Sequence, residues 1–502
     1  MSIPAKLCGI DEAGLTRLGP PGEVEKFLLE VKLRPGDEHM GLELNPHQVL
    51  RRRLWRGATR AVLRGNLKEE LPALVNTAIG SLLDKGLEVQ DPARAAEGLV
   101  RCALGLVPEP EEKESFAEAA EAALENSALA GPPIVAVPGA CRSCRDVECA
   151  AELACITGAI KKGPGNTVRI DNGRCLNCGL CIGACRAAAI SDRAEVVQVA
   201  RLLLDGKRPV VAVVAPSFAG QFGPDVFGEE VAMALRQFGF AAVVEVALGA
   251  DVITIKEAEE YIRRMEQGDP FMITSCCCPP FIRLVQKFRP RLAHLISDSV
   301  SPMIAIGRLV KAEHPSTRVI FIGPCIAKKS EARQPELTDA VDYVLTFEEA
   351  AAMLEAGGIQ VPRRANAPPL RDASHDGRIY GHTGGVTDAI IRSIRKLRPD
   401  IPVFARQGNG IKECRDLLNK AEAGQLKATF LEGMACPGGC VGGPGKLIPP
   451  EVGRREVDEF AAEAAVLEAI SNEKARSLYT RHAPRVVLTS LKHPDPVEPP
   501  EA

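Results

Sequence analysis

The chain is poor in aromatic residues. Its 502 residues include 15 Phe, 4 Tyr and 1 Trp, or 4%, so large cores must be built mainly from Ala, Val, Leu and Ile. It has no excess of either charge: 62 Lys and Arg stand against 65 Asp and Glu, for a net charge of −3. Nothing in that balance calls for nucleic acid or an anionic membrane as a partner. No run of about 18 apolar residues occurs, so no transmembrane helix is expected. The N-terminus, Met1-Ser-Ile-Pro-Ala-Lys-Leu-Cys-Gly9, carries neither an apolar core of signal-peptide length nor a twin arginine, and a cytoplasmic location is expected. Cysteine, by contrast, is abundant, with 17 in the chain. In a reducing compartment, cysteines in tight runs point to metal or catalysis rather than to disulfides.

The length admits about three domains at ~150 residues each. Residues 1–137 read as a helical region of unknown role, with an Ala/Glu helix from Phe116 to Leu124. The tract Arg51-Arg-Arg-Leu-Trp-Arg56 reads as the solvated face of a helix with Leu54 and Trp55 packed inward. His39 and His47 read as structural or solvated rather than as ligands. Gly131-Pro-Pro133 and Val137-Pro-Gly139 read as a linker. Residues 138–192 hold the first cysteine runs. From 193 to 450, apolar strands at 210–215, 242–246, 271–274, 319–322 and 428–431 alternate with helices at 255–265, 281–288 and 347–355. That alternation predicts an α/β catalytic domain of two lobes with mainly parallel sheets. An α+β two-cluster domain and the mainly helical N-terminal region complete the expected fold. Residues 451–502 read as one charged helix, 456–469, a further short helix and a polar tail.

The first cysteine runs are Cys141-x2-Cys144-x4-Cys149-x5-Cys155 and Cys175-x2-Cys178-x2-Cys181-x3-Cys185. The second matches the bacterial ferredoxin spacing, in which three close thiolates take one cubane and the fourth crosses to the other cluster. This pairs Cys141, Cys144, Cys149 and Cys185 around one 4Fe–4S cluster and Cys175, Cys178, Cys181 and Cys155 around the other. Gly158-Ala-Ile160 and Ala188-Ala-Ile190 follow the two runs as a duplicated ferredoxin would have it. Two departures stand out: the first run has enlarged gaps, and Arg186 replaces the usual proline. A pair of zinc sites fits less well, because zinc ribbons favour separated CxxC pairs.

Three later motifs fall just after expected strands, where open parallel sheets place their sites. They are Thr274-Ser-Cys-Cys-Cys-Pro279, Pro324-Cys-Ile-Ala-Lys-Lys-Ser-Glu331 and Glu432-Gly-Met-Ala-Cys-Pro-Gly-Gly-Cys440. In order and content they resemble the signatures of iron-only (FeFe) hydrogenases, in a divergent form with one extra cysteine in the first motif. The resemblance covers about residues 138–450. It implies an H-cluster: a 4Fe–4S cubane joined to a diiron centre carrying CO, cyanide and azadithiolate. The implied iron ligands are Cys278, Cys325, Cys436 and Cys440, with Cys440 bridging. Cys277 takes the role of the thiol that passes protons. The helix after the motif favours this register; counting from the strand side instead makes Cys276 the donor and Cys277 the ligand. Lys328 matches a lysine that bonds a cyanide, and Glu331 a nearby carboxylate. Pro216 and Ser217 match residues beside the other cyanide, and Met434 a methionine packed on the diiron centre. Gly323 stands where relatives carry a further methionine, so that side of the pocket is expected to be looser.

The same resemblance implies a proton route through two glutamates on a helix, then a serine, then the cysteine. Here the glutamate positions carry Ala258 and Tyr261, while Ser297 still matches the serine. Glu257, Glu259, Glu260 or water are the substitutes to consider. The implied activity is reversible reduction of protons to dihydrogen. Electrons would come from a soluble ferredoxin or similar low-potential carrier through two 4Fe–4S clusters, and maturation enzymes would install the diiron centre. Two rivals share the fold: a dihydrogen sensor and an iron–sulfur assembly factor without the diiron centre. The segment Lys474-Ala-Arg-Ser-Leu-Tyr479 is similar to the small-subunit strand of chain that wraps the catalytic domain in that family.

Overall fold

In the computed structural model the described residues are 46–84, 89–109, 115–125, 131–141, 148–163, 167–185, 187–223, 226–269, 271–274, 277–362 and 370–482. Among the described residues the first four helices, α1 (Pro46–Arg64), α2 (Leu67–Asp84), α3 (Pro92–Ala103) and α4 (Phe116–Glu125), form a helical layer. In α1 the residues Leu50, Leu54, Ala58, Ala61 and Val62 recur at helical spacing and are all buried. Asp91 caps α3 by accepting from the Arg94 amide, with Pro92 at the first helical position. Leu54 and Trp55 face inward and Arg53 is exposed, as expected, but two arginines of the tract are not solvated. Arg51 and Arg52 are buried, held by Asp192 and Glu348 and by Glu355 respectively. Buried arginine survives only with such partners, and these lie more than a hundred residues away. His47 is buried in the same layer; His39 lies outside the described residues.

The stretch read as a linker contains β1 (Ile134–Ala136). It is followed by α5 (Ala150–Ala154), β2 (Ile160–Gly163), β3 (Thr167–Ile170), α6 (Leu180–Ala184) and β4 (Ile190–Asp192). Strands β1 and β4 pair antiparallel, as do β2 and β3. The Pro and Gly residues around β1 bound the strand rather than dissolve it.

Next come α7 (Val196–Asp205), β5 (Val210–Val214), α8 (Gly228–Phe238), β6 (Ala242–Glu245), α9 (Val246–Glu266) and β7 (Met272–Ile273). They are followed by α10 (Pro279–Phe288), α11 (Pro302–Glu313), β8 (Arg318–Ile322), α12 (Ala327–Glu331), β9 (Tyr343–Leu345) and α13 (Phe347–Ala356). The chain then forms α14 (His375–Arg378), α15 (Gly385–Leu397), β10 (Ala405–Asn409), α16 (Ile411–Glu422), β11 (Phe430–Met434), α17 (Pro450–Ala462) and α18 (Glu473–His482). Two all-parallel sheets result, ordered β6-β5-β8-β9 and β10-β11-β7. β5 reads Val-Val-Ala-Val-Val and is buried throughout, the uninterrupted apolar run of a central parallel strand covered on both faces.

The charged helix expected at 456–469 instead ends at Ala462. Beyond it the carbonyls of Val466 and Leu467 accept from the amides of His375 and Asp376, so tertiary bonds replace the helical ladder. Helix α18 packs on α9: Asn472 Nδ2 donates to Asp251 at 2.7 Å and Tyr479 donates to Glu259 at 2.8 Å. Among the described residues no helix is long and apolar enough to cross a membrane.

Candidate active site

The three late cysteine motifs leave the C-terminal ends of β7, β8 and β11 and meet between the two parallel sheets. Around one cavity of about 70 Å³ the structure brings together Cys277, Cys278, Cys325, Cys436 and Cys440 with Lys328, Pro216, Ser217 and Met434. Ser297 and Glu331 do not line it. Glu331 instead accepts from Lys328 Nζ at 2.7 Å, and so aims the lysine. Cys276 and Cys144 lie outside the described residues. Sequence reasoning missed Met303, Phe321 and Tyr380, which also line the cavity. They belong to no cysteine motif, so only the packing reveals them. Phe321 also overturns the expected looseness at Gly323: a Cβ there would lie 2.5 Å from the phenyl ring, so the aromatic side chain already fills that flank.

Local structure explains the motif residues that are not thiols. Cys278 stands at the N-cap of α10, just before Pro279 and Pro280 at the start of the helix, and its sulfur accepts from the Ala435 amide at 3.4 Å. Gly439 has φ 92°, and a Cβ there would collide with the backbone of His382 and Thr383. Glycine is therefore required where Cys440 turns toward the cavity. Glu432 is fully buried and accepts from the Gly384 and Thr387 amides, both at 2.8 Å. Its carboxylate thereby caps the first turn of α15, which favours negative charge. This ties the Thr383-Gly-Gly-Val386 stretch to the third motif. Cys414, buried nearby, has its sulfur 3.5 Å from the Gly408 and Met434 carbonyls, a structural placement.

Burial sets the electrostatics. It pushes the thiols of Cys278 and Cys440 up to about 11 and about 12, with neighbouring thiols adding to the rise, and lifts Cys277 and Cys436 well above the usual thiol range. Without metal the thiol ring is neutral at pH 7, and iron must displace its protons on binding. Burial pulls the Lys328 ammonium down, but the charge of Glu331 and its hydrogen bond outweigh it and hold it charged.

The residues present fit a polynuclear iron centre. Among the described residues no three Cys, His, Asp or Glu side chains converge on one point; the thiols ring a space instead. Ser217 Oγ is buried with no hydrogen-bond partner and faces the same cavity, leaving a donor for a polar group held there.

A second cavity, of about 30 Å³, lies in the two-cluster segment and is lined by Cys155, Cys175, Cys178 and Cys181 among Ile134, Ile160, Ile170 and Leu180. The crossing cysteine is thus beside the other three. Cys149 and Cys185 pack on the adjoining apolar cluster of Ala151, Ile182 and Ile190, and Cys141 lies in the neighbouring core that Cys185 also touches. Cys178 lines both cavities. A Cβ at Gly179 would meet Pro444 and Ile326, so the two sites approach across a contact that has no room for a side chain.

On the far side of the motif strand, α9 presents two buried carboxylates. Glu257 accepts from Thr274 Oγ1 at 2.6 Å and Glu260 from Ser297 Oγ at 2.9 Å. Glu260 also meets Arg264 at 2.7 Å, and Asp298, partly exposed, meets Lys256 at 2.6 Å. Burial pushes the Glu257 carboxyl up to about 7. Glu259 points elsewhere, to Tyr479. Ala258 packs in the core, and Tyr261 donates to the Pro402 carbonyl at 2.9 Å.

Residues 208–444 match the family described as iron only hydrogenase large subunit, C-terminal domain. Iron hydrogenase 1 of Clostridium pasteurianum is 30% identical over 57% of this chain and 58% of its own length. The NADP-reducing hydrogenase subunit HndD of Solidesulfovibrio fructosivorans is 25% identical over 61% of this chain and 62% of its own. The chain thus spans about three fifths of each. Cytosolic iron-sulfur assembly component 3 of Bos taurus is 24% identical over 60% of this chain and 76% of its own. An apo [FeFe]-hydrogenase structure from Chlamydomonas reinhardtii aligns at TM-score 0.47 and 24% identity, covering 56% of this chain and 91% of that one.

Proposed function

We propose that this chain is a hydrogenase that interconverts protons and dihydrogen. The observation that carries the reading is the gathering of Cys277, Cys278, Cys325, Cys436 and Cys440 with Lys328 and the unpartnered Ser217 hydroxyl on one cavity of mainly apolar lining. Cys278, Cys325, Cys436 and Cys440 would hold the cubane and the bridged diiron centre. When bound, that group supplies the site where electrons and protons combine.

The chain's own residues do the rest. Lys328, fixed by Glu331, offers a charged donor in a water-excluded pocket, where such a bond is strong. Ser217 offers a neutral donor on the same cavity. Cys277, on the same cavity, would carry an exchangeable proton for the group held there. Thr274 with Glu257, and Ser297 with Glu260, line up hydroxyls and carboxyls of the kind that relay protons. Electrons enter through the two-cluster segment, with Cys178 at the shared wall, from a soluble low-potential carrier such as a ferredoxin.

The assembly-factor reading has its own support in the resemblance to the Bos taurus protein. Infrared spectroscopy separates the two. After maturation, CO and cyanide bands with dihydrogen evolution from a reduced viologen are expected. Bands without turnover favour a sensor. No bands, under conditions that mature a control hydrogenase, favour the assembly factor.

A further inference from the structure

We infer that Arg51, in a helical layer with no recognisable motif, is a positioning residue for the active-site lysine helix. It closes a buried ion-pair network that clamps α12 between the two-cluster segment and the catalytic sheet.

The network joins four elements. Arg51 is 3% exposed. Its Nη1 meets Asp192 Oδ1, at the end of β4, at 2.7 Å, and its Nη2 meets Glu348 on α13. The other Asp192 oxygen takes Lys329 Nζ at 3.2 Å, and Lys329 also reaches Glu349 at 2.9 Å and the Arg193 carbonyl at 2.8 Å. Glu349 accepts from the Glu195 amide at 2.7 Å, and Glu195 meets Arg333 at 3.2 Å. Lys329 is the residue after Lys328 on a five-residue helix. One helical turn has little stability of its own, so the network supplies the hold.

The charge balance makes Arg51 decisive. Three cations, Arg51, Lys329 and Arg333, face four carboxylates, Asp192, Glu195, Glu348 and Glu349. Without Arg51 two cations, of which Arg333 is partly exposed, face four buried carboxylates, and a buried charge left unpaired is strongly unfavourable. Asp192 would then lean wholly on Lys329 and displace α12. Replacing Glu348 by Gln in the same chain restores the original imbalance of one negative charge.

The mechanical link stands without the hydrogenase reading; only its catalytic consequence rests on it. The test uses the full chain, with hydrogen–deuterium exchange over residues 324–334 and residues 405–420 as control. In Arg51→Met, exchange over 324–334 is expected to be roughly tenfold faster while the control is unchanged. In Arg51→Met with Glu348→Gln it should return toward wild type. In matured protein a cyanide infrared band should shift and return in the same pattern. Wild-type exchange over 324–334 in a folded Arg51→Met protein overturns the inference. So does a double variant no better than the single one, which would reduce α1 to packing. If neither methionine variant folds, Arg51→Lys decides: it keeps the charge but not both contacts. Intermediate exchange is then expected, and wild-type exchange overturns the inference. Because exchange needs no diiron centre, this outcome is separate from failure of the hydrogenase reading.

Discussion

Replacing Glu257 by Gln should raise stability and lower turnover at once. The carboxyl is fully buried on α9 and accepts from Thr274. Burial lifts its pKa from 4.5 to about 7, against the lowering effect of the Thr274 bond. A raised carboxyl pKa contributes stability that is complete below the unfolded value near 4.5 and is lost as pH rises through 7. A shift of about 2.5 units corresponds to ~3 kcal/mol by pH 8. Gln keeps an acceptor for Thr274 and carries no charge to desolvate. Its amide would face the position of Oε1, which has no partner, at a cost of ~1–2 kcal/mol. The variant should therefore be about 1–2 kcal/mol more stable than wild type at pH 8, net of these opposing effects, and should lose that advantage near pH 4.5. Turnover should fall by about 10²-fold or more, since an amide cannot pass the proton. Urea denaturation at pH 5 and pH 8 reads the first effect, and dihydrogen evolution from reduced viologen reads the second. Wild-type turnover between pH 6 and 8 would remove Glu257 from the proton route. A variant less stable than wild type at pH 8 would refute the buried-charge argument itself.

Two further outcomes follow from the thiol geometry. Protein made without diiron maturation should bind about twelve irons, four for each of three cubanes; Cys155→Ala should lose about four of these while the cavity at Cys325, Cys436 and Cys440 still fills. Stoichiometric zinc with almost no iron would end the cluster assignment. Cys277→Ser should keep the iron and lose turnover by about 10²-fold or more, because a hydroxyl relays protons poorly, whereas Cys278→Ser should lose the catalytic cubane. If Cys277→Ser loses iron instead, the roles along 276–278 move by one residue.

Legibility in the sequence followed the range of the interaction. Strands such as β5 and β8 showed as short apolar runs because a central parallel strand is buried on both faces and needs nothing else. The thiol motifs showed because their spacing is a local requirement of cluster binding. The strand β1 was hidden, since three residues between two Pro-Gly-containing breaks carry no periodicity and owe their pairing to β4, more than fifty residues later. Arg51 and Arg52 were misread for the same reason. A triple arginine looks solvated until Asp192, Glu348 and Glu355 arrive from distant segments. Phe321 was invisible as a cavity residue because its ring covers the position of Gly323, two residues onward.

The proton route shows a different limit. Matching positions to the family placed Ala258 and Tyr261 where glutamates were wanted, and the route looked broken. The structure shows carboxylates at 257 and 260, each one residue earlier and with the same spacing of three. On an α-helix one residue turns the side chain by about 100°, which should carry both carboxyls off the path. Yet Glu257 meets Thr274 and Glu260 meets Ser297, while Tyr261 turns to Pro402 and Thr429 and Ala258 fills core space. Both hydroxyl partners stand at the ends of backbone hydrogen bonds: the Thr274 amide bonds the Leu431 carbonyl and the Ser297 amide bonds the Ile273 carbonyl. They are fixed to the sheet, and the shifted pair of carboxylates reaches both. The retained spacing of three, rather than the aligned position, is therefore the feature by which such a route can be sought in other sequences of this kind.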